Sequence, residues 1–381
     1  MSRVRFLKPQ LPPAEAIERY FRRSREDRWF SNDGPCLRLF VERAEGLLGR
    51  GLRIVPTASG TAALLLGLRA LAGPPRGGRD EVVLPSFTFA ATASAVIWNG
   101  YKPVFADVDP DSWHLSPRAL EQALANRGDR VAAVVACSTF GTAPPLWLSA
   151  LWTELCENAG VPLIVDSAAG FGARDEQGDL LGGQGRAEIF SFHATKPFAI
   201  GEGGALVTAD ADLADAVRRL ANFGFGSDRA VVEEPGLNGK LDEWHAAAAL
   251  ACLDELDAVL AARRAHAQAI RAALAAHEFG FQEGADRGTW QFVPALAPSP
   301  DWRDAALEAG VTQDIELRSY FDPPLHAMPA FAGWDRAGEL DVTESLATRV
   351  LSLPMANDLG ADAIERIGAC VLSVAATGSR R

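Results

Sequence analysis

Short apolar runs alternate with longer helical stretches between residues 53 and 166. The runs RIVPT, EVVLP, KPVFADV, RVAAVVAC and VPLIVD are separated by stretches such as TAALLLGLRALAG and SPRALEQALANRG. Strands that alternate with helices of about ten to fifteen residues indicate βαβ units and a mainly parallel sheet. The runs are apolar on both faces, as a sheet covered by helices on both sides requires. We therefore predict an α/β fold.

The segments on either side of this region predict two domains. The first 50 residues contain a helical stretch, AEAIERYFRRSRE, then a turn, SNDGP, and a second helix from Leu37 to Leu48. A long Ala-rich helical stretch runs from Lys240 to His277 and is predicted to connect the domains. We expect a large domain over residues 1–245, and a bridging helix with a smaller C-terminal α/β domain over residues 246–381.

Composition narrows the class of protein. There are 37 Lys and Arg residues against 49 Asp and Glu, which gives a net charge of −12 and argues against nucleic-acid or anionic-membrane partners. No run approaches the roughly 20 apolar residues of a membrane span, and the charged first residues do not resemble a signal peptide. Five cysteines without a CxxC pair fit a reducing compartment. We expect a soluble cytoplasmic protein.

The segment TASGTAALLL, residues 57–66, places small residues before a helix. Gly60 allows close approach of the backbone, and Thr61 offers a hydroxyl. Free N–H groups and the positive end of the helix dipole suit a phosphate. The alternative is an ordinary N-capped helix.

Two charged residues follow in predicted strand regions. Asp166 ends the run VPLIVD, where open α/β sheets bind ligands, although it could simply cap the next turn. Lys196 lies in SFHATKPFAIGEGGALVT and could be a Schiff-base amine or a surface-loop lysine. Ser191, five residues earlier, could contact a phosphate oxygen.

Phe89, in LPSFTFAATASAV, lies at a strand-to-helix junction and could stack on a planar ring, although core packing is the commoner role. Together these residues offer a phosphate site, an aromatic face, a carboxylate and a lysine. Pyridoxal 5′-phosphate has a phosphate, a flat ring, a ring nitrogen and an aldehyde, so one ligand accounts for all four.

Over nearly its whole length the chain resembles the DegT/DnrJ/EryC1/StrS family of sugar aminotransferases. The resemblance rests on motifs in order, which are WFSNDGP, SGTAAL, PSFTFAATASAV, PVFADVDPDSWHLSP, FGT, IVDSAAGFGA, FSFHATKPFAIGEGGALVT, NFG, GLNGKLDEWHAAAAL, YFDPPLH and LSLPM. It implies the fold of type I pyridoxal-phosphate enzymes, with a sheet of seven-stranded type, and an amino transfer from an amino acid, expected to be L-glutamate, to a nucleotide-linked keto-deoxysugar.

The resemblance also implies a role for each matching residue. Lys196 would form the aldimine with the cofactor in a ping-pong cycle, and Asp166 would pair with the pyridine nitrogen. Phe89 would stack on the ring. Phosphate contacts would come from Gly60, Thr61 and Ser191, and from Asn238 of a partner subunit in a homodimer with shared active sites.

Some positions depart from the family pattern. Ala169 stands where many relatives have a glutamine near the cofactor's phenolic oxygen, and Leu237 lies in GLNGK where many have GYNYR. CSTFG replaces a segment that often carries a histidine. A cyclitol or amino-acid substrate, or a regulator that binds the cofactor without turnover, therefore stays open. A dehydratase of this family would lack the lysine, so Lys196 argues against that activity.

Further residues could contact the sugar nucleotide. His193 and His326 could lie near the sugar, and RSREDRWF with Arg318 could supply positive charge for a diphosphate.

Overall fold

The computed structural model describes residues 3–226, 228, 230–231 and 234–374. Its strands are β1 (Arg53–Thr57), β2 (Glu81–Pro85), β3 (Lys102–Ala106), β4 (Val131–Cys137), β5 (Leu163–Asp166), β6 (Ala187–Ser191), β7 (Gly204–Thr208), β8 (Val293–Leu296), β9 (Asp335–Arg336) and β10 (Val350–Leu353). Its α-helices are α1 (Ala14–Glu26), α2 (Pro35–Leu48), α3 (Gly60–Ala72), α4 (Ala90–Trp98), α5 (Pro117–Arg127), α6 (Leu146–Asn158), α7 (Ala211–Ala221), α8 (Glu243–Leu274), α9 (Pro300–Thr312), α10 (Asp341–Arg349) and α11 (Ala361–Leu372).

The main sheet has the spatial order β1-β7-β6-β5-β4-β2-β3-β9. Strand β7 runs antiparallel to both of its neighbours, and the other pairings are parallel. Seven strands form the body of this sheet, and the two-residue β9 extends its edge. The prediction of an α/β fold with a mainly parallel sheet is thus confirmed. Strands β8 and β10 form a separate antiparallel pair.

Helices cover both faces of the main sheet, as the apolar strands require. Successive strand residues point to opposite faces: Ile54 and Val207 belong to a core cluster that includes buried residues of α2 and α8. Val55 and Leu206 belong to a second cluster that includes residues of α3, α4 and α7. The two clusters bury apolar side chains on both faces of these strands.

Helix α2 begins at Pro35, two residues before the predicted start at Leu37. The reason is a long-range contact: the buried carboxylate of Glu243, at the start of α8, accepts hydrogen bonds from the backbone N–H groups of Cys36 (2.7 Å) and Leu37 (3.0 Å). These are orphan donors of the first turn, and negative charge is favourable there. A Cβ at Gly34 would lie 2.6 Å from the Glu243 carboxyl carbon, so a side chain there would displace the capping carboxylate.

Helix α8 is shorter at both ends than the predicted stretch from Lys240 to His277. It begins after Asp242, whose side chain accepts a hydrogen bond from the backbone N–H of His245 at 2.9 Å. The division of the chain into domains at residue 245 stays a prediction. No helix among the described residues is long and apolar enough to span a bilayer.

Candidate active site

Asp166, Ser191 and Gly60 lie at one edge of the main sheet. Thr57, Gly204 and Ser191 lie side by side across β1, β7 and β6. Asp166, the last residue of β5, pairs with Ile189 of β6. The carboxyl ends of parallel strands meet at such an edge, and open α/β sheets bind ligands there. The sequence argument that placed Asp166 at a strand end therefore holds.

Asp166 is buried, and a hydroxyl and a backbone amide hold it. Its Oδ2 accepts a 2.8 Å hydrogen bond from Thr92 Oγ1, and its Oδ1 accepts one from the Ala168 N–H at 3.2 Å. Burial raises the pKa of Asp166, while Thr92, the charge of Lys196 and the Ala168 N–H lower it. Sequence reasoning missed Thr92, which lies in α4 and is 74 positions away along the chain.

Lys196 lies in the loop after β6, and its side chain is half-buried. Its Nζ donates a 3.1 Å hydrogen bond to Oε1 of Gln291. Burial lowers the pKa of the Lys196 amine to about 8, and the charge of Asp166 acts in the opposite direction. An amine with such a pKa is partly neutral near neutral pH, as a nucleophile or a proton carrier needs to be. The surface-loop interpretation of Lys196 is thus not supported by its burial.

The first turn of α3 is packed against β6 and β7 with almost no space. A Cβ at Gly60 would lie 2.8 Å from Ser191 Cβ, and a Cβ at Gly204 would lie 2.3 Å from the Gly60 backbone nitrogen. Ser59 caps the helix by accepting a hydrogen bond from the Ala62 N–H at 3.0 Å. The backbone of α3 therefore reaches the sheet edge beside Ser191 with its N-terminal N–H groups directed toward that edge. This geometry fits a phosphate.

Phe89 is 60% exposed, although it is a large apolar side chain. It is the residue that immediately precedes α4, whose inner face carries Thr92. Core packing, the commoner role, is therefore excluded for Phe89. Its stacking on a flat ligand stays a prediction.

Asn238 does not join this cluster within the chain. It is exposed, and its Oδ1 accepts a 2.8 Å hydrogen bond from Lys240 Nζ, which also donates to Asn222 Oδ1 at 2.9 Å. The same segment lies next to the phosphate-binding turn, because the Ala58 N–H donates to the Gly239 carbonyl at 2.8 Å. A contact of Asn238 to a second subunit stays a prediction.

The two histidines have partners of their own. His193 Nδ1 lies 2.8 Å from Thr195 Oγ1. His326 is buried, with Nδ1 2.7 Å from Ser86 Oγ and Nε2 3.3 Å from Glu344 Oε1, so it holds elements together. Arg318 is exposed, and its guanidinium lies over the Phe6 ring. A role for these residues toward the sugar nucleotide stays a prediction.

Comparisons with known proteins agree with this geometry. Residues 13–372 match the sequence model of the DegT/DnrJ/EryC1/StrS aminotransferase family. The chain belongs to this family. Protein Rv3402c of Mycobacterium tuberculosis is 37% identical over 97% of this chain and 90% of its own length.

Two further relatives have names that state a chemistry. The dTDP-3-amino-3,4,6-trideoxy-alpha-D-glucose transaminase of Micromonospora megalomicea is 34% identical over 81% of this chain and 82% of its own length. DesI, crystallised in the presence of its TDP-sugar product, aligns with a TM-score of 0.88 at 34% identity over 100% of this chain and 94% of its own. As a member of the family, the chain is a pyridoxal-phosphate-dependent aminotransferase.

The residues present fit that cofactor. A cradle that a single Cβ would fill lies at the phosphate end, and a buried carboxylate and a half-buried lysine lie within electrostatic reach of each other. Gly60, Thr61 and Ser191 would hold the phosphate, Asp166 the ring nitrogen and Lys196 the aldehyde carbon.

The departure at Ala169 has a structural setting. Ala169 is buried, and its carbonyl accepts a 2.5 Å hydrogen bond from Thr289 Oγ1. Residue 169 therefore offers no side-chain hydrogen-bonding group. The amide that does lie among the site residues is that of Gln291, which sequence reasoning missed.

Proposed function

We propose that this aminotransferase moves an amino group from an amino acid, with L-glutamate as the donor, to a nucleotide-linked keto-deoxysugar. The observation that carries the amino transfer is Lys196, an amine of lowered pKa beside the buried Asp166. The sugar-nucleotide class is supported by relatives named as dTDP-sugar transaminases and by DesI with its TDP-sugar product.

Different side chains of the site have different roles in the proposed reaction. When bound, pyridoxal phosphate supplies an electrophilic carbon and a ring that accepts electrons. Asp166, whose carboxyl group is held by Thr92, would pair with the ring nitrogen and favour its protonated form. Phe89 would cover one face of the ring, and the first turn of α3 would hold the phosphate. Lys196 Nζ would hold the aldehyde carbon, and once the amino donor has displaced it, the free amine would be the group that takes up and returns a proton.

A homodimer with shared active sites is part of the proposal. Beside Asn238 the chain exposes two apolar side chains: Leu237 is 37% exposed, and Phe223, whose backbone N–H donates to the Leu237 carbonyl at 3.2 Å, is 42% exposed. Contiguous exposed apolar groups mark interaction sites. A second copy on this surface would cover them and bring its Asn238 to the phosphate of the first copy. We also place the enzyme in the cytoplasm, since its five cysteines are free thiols.

The test is a pair of half-reactions followed separately. Visible absorption of the enzyme with pyridoxal phosphate should show a band that Lys196→Ala lacks, and L-glutamate should abolish that band. The amino-loaded enzyme is then offered keto-deoxysugars linked to dTDP or UDP, cyclitol ketones and α-keto acids. Recovery of the band with a nucleotide-linked sugar supports the proposal. Recovery only with a cyclitol ketone or a keto acid would contradict the proposed nucleotide-sugar substrate. A band that no amino donor changes would contradict the proposed catalysis and indicate a regulator that binds the cofactor.

A further inference from the structure

The side-chain amide of Gln291 is oriented by two contacts. Its Oε1 accepts the hydrogen bond from Lys196 Nζ at 3.1 Å, and its Nε2 donates to Thr195 Oγ1 at 3.5 Å. The reverse orientation would turn the NH₂ group toward an amine that has only donors when protonated. The oxygen is therefore the atom that faces the lysine.

The backbone at Gln291 is fixed from the other side by α8. The buried guanidinium of Arg263 donates through Nη1 to the carbonyls of Trp290 (2.9 Å) and Gln291 (3.4 Å), and through Nε to Asn357 Oδ1 (2.6 Å). Hydrogen bonds from a buried charged donor are strong and costly to leave unmade. Gln291 thus reaches Lys196 from a backbone that cannot shift without unpairing Arg263.

Several charged or titratable groups surround the lysine amine. Asp166 acts on it directly, and His193 lies in the same loop with Nε2 3.7 Å from a carboxylate oxygen of Glu202. Arg263 lies behind the Gln291 backbone. A carboxylate at position 291 would add a negative charge at hydrogen-bond distance from the amine, whereas the amide adds none.

We propose that Gln291 is a positioning residue for Lys196, which holds the lysine amine through a neutral acceptor supplied by the C-terminal part of the chain. The inference rests on the proposed use of Lys196 as proton carrier. A carbonyl oxygen accepts a hydrogen bond from either an amine or an ammonium group, so it holds Lys196 in both states of the proton-transfer step. A carboxylate would hold the amine as ammonium, and a hydrocarbon would not hold it at all.

The proposal is tested on cofactor-free protein, without turnover. Brief pulses of acetic anhydride between pH 6 and 11, followed by mass spectrometry of the Lys196 peptide, give the pH midpoint of amine labelling. Gln291→Glu should raise that midpoint by about one unit, so labelling of Lys196 at pH 7 falls about tenfold. Gln291→Met, of similar size, should lower the midpoint because ammonium loses its acceptor, and labelling at pH 7 should rise about fivefold.

Gln313→Glu is the matched control, because Gln313 is exposed and its Nε2 donates to Ser373 Oγ far from the lysine. It adds the same charge and should leave the Lys196 midpoint at the wild-type value. An unchanged midpoint in folded Gln291→Glu overturns the proposal. If circular dichroism shows that Gln291→Glu does not fold, the test rests on Gln291→Met. A labelling midpoint of Lys196 that is unchanged from wild type in Gln291→Met would also overturn the proposal. Labelling needs no sugar acceptor, so a wrong substrate class leaves this result unaffected.

Discussion

Thr92 Oγ1 donates a 2.8 Å hydrogen bond to Asp166 Oδ2 in a buried environment. Because this bond opposes the effect of burial, we expect Thr92→Val to raise the pKa of Asp166 further and to weaken its hold on the ring nitrogen. Loss of a hydrogen bond to a charged group corresponds to about ten- to a hundredfold in kcat. Thr92→Ser keeps the hydroxyl and should stay within about threefold of wild type. Equal losses in both variants would argue for packing alone.

Lys196 predicts a pH dependence of stability in cofactor-free protein. Its pKa falls from 10.5 when unfolded to about 8 when folded, chiefly through burial. Between these values the unfolded state binds more protons, so this group adds stability as pH rises. Lys196→Met should therefore be more stable than wild type at pH 7 in urea unfolding, and the difference should shrink by pH 10. A difference that does not depend on pH would contradict the lowered pKa.

Phe89 should contribute to cofactor affinity and little to folding, because its ring is mostly exposed. Phe89→Ala is expected to raise the dissociation constant of pyridoxal phosphate about tenfold, since aromatic stacking contributes about 0.5–1.5 kcal/mol beyond area burial. Phe89→Tyr retains a stacking face and should bind nearly as wild type. Fluorescence titration of cofactor-free enzyme measures both. A large fall in the melting temperature of Phe89→Ala would instead indicate a structural role.

The carboxylate of Glu243 should matter for folding rather than chemistry. It caps α2 and also accepts a 2.6 Å hydrogen bond from Ser24 Oγ. Glu243→Gln is expected to lower the free energy of unfolding by about 1–3 kcal/mol, measured at fixed protein concentration. Glu255→Gln, on the exposed side of the same helix, is the control and should change stability by less than about 0.5 kcal/mol.

The shared site of the proposed dimer can be tested by complementation. Lys196→Met and Asn238→Asp should each be nearly inactive as homodimers, the second because it places negative charge beside the phosphate. Mixed after mild dissociation, they should form heterodimers in which one site has both native residues. Recovery of about a quarter of wild-type activity is expected if subunits mix at random. No recovery, with mixing verified by mass spectrometry, would place Asn238 in its own subunit's site or outside both.

Most helices and strands could be predicted from the sequence, because the apolar periodicity that indicates them is a local property of the chain. Helix α1 and strands β1 and β2 lie where their patterns indicated. The same logic places Asp166 at the sheet edge, since the end of a buried strand is visible in the chain. It could not find the true start of α2, which depends on a carboxylate more than 200 positions away.

The missed site residues share that cause. Thr92 and Gln291 are ordinary residues in a helix and near a strand, and their roles arise only when folding brings them to Asp166 and Lys196. No spacing rule joins residues 95 positions apart. Ala169 shows the converse, because the absence of a side-chain amide at that position can be read directly from the sequence.

Helix α8 has one more consequence. Glu243 at its start holds α2, and Arg263, 20 residues later, holds the backbone of Gln291. In a helix these two points are about 30 Å apart, and each added residue turns the second by about 100°. A one-residue insertion between them would point Arg263 away from its carbonyls. Insertions and deletions during divergence should therefore fall outside the interval from Glu243 to Arg263. The length of this interval sets the distance between the start of α2 and the backbone of Gln291, which contacts the lysine.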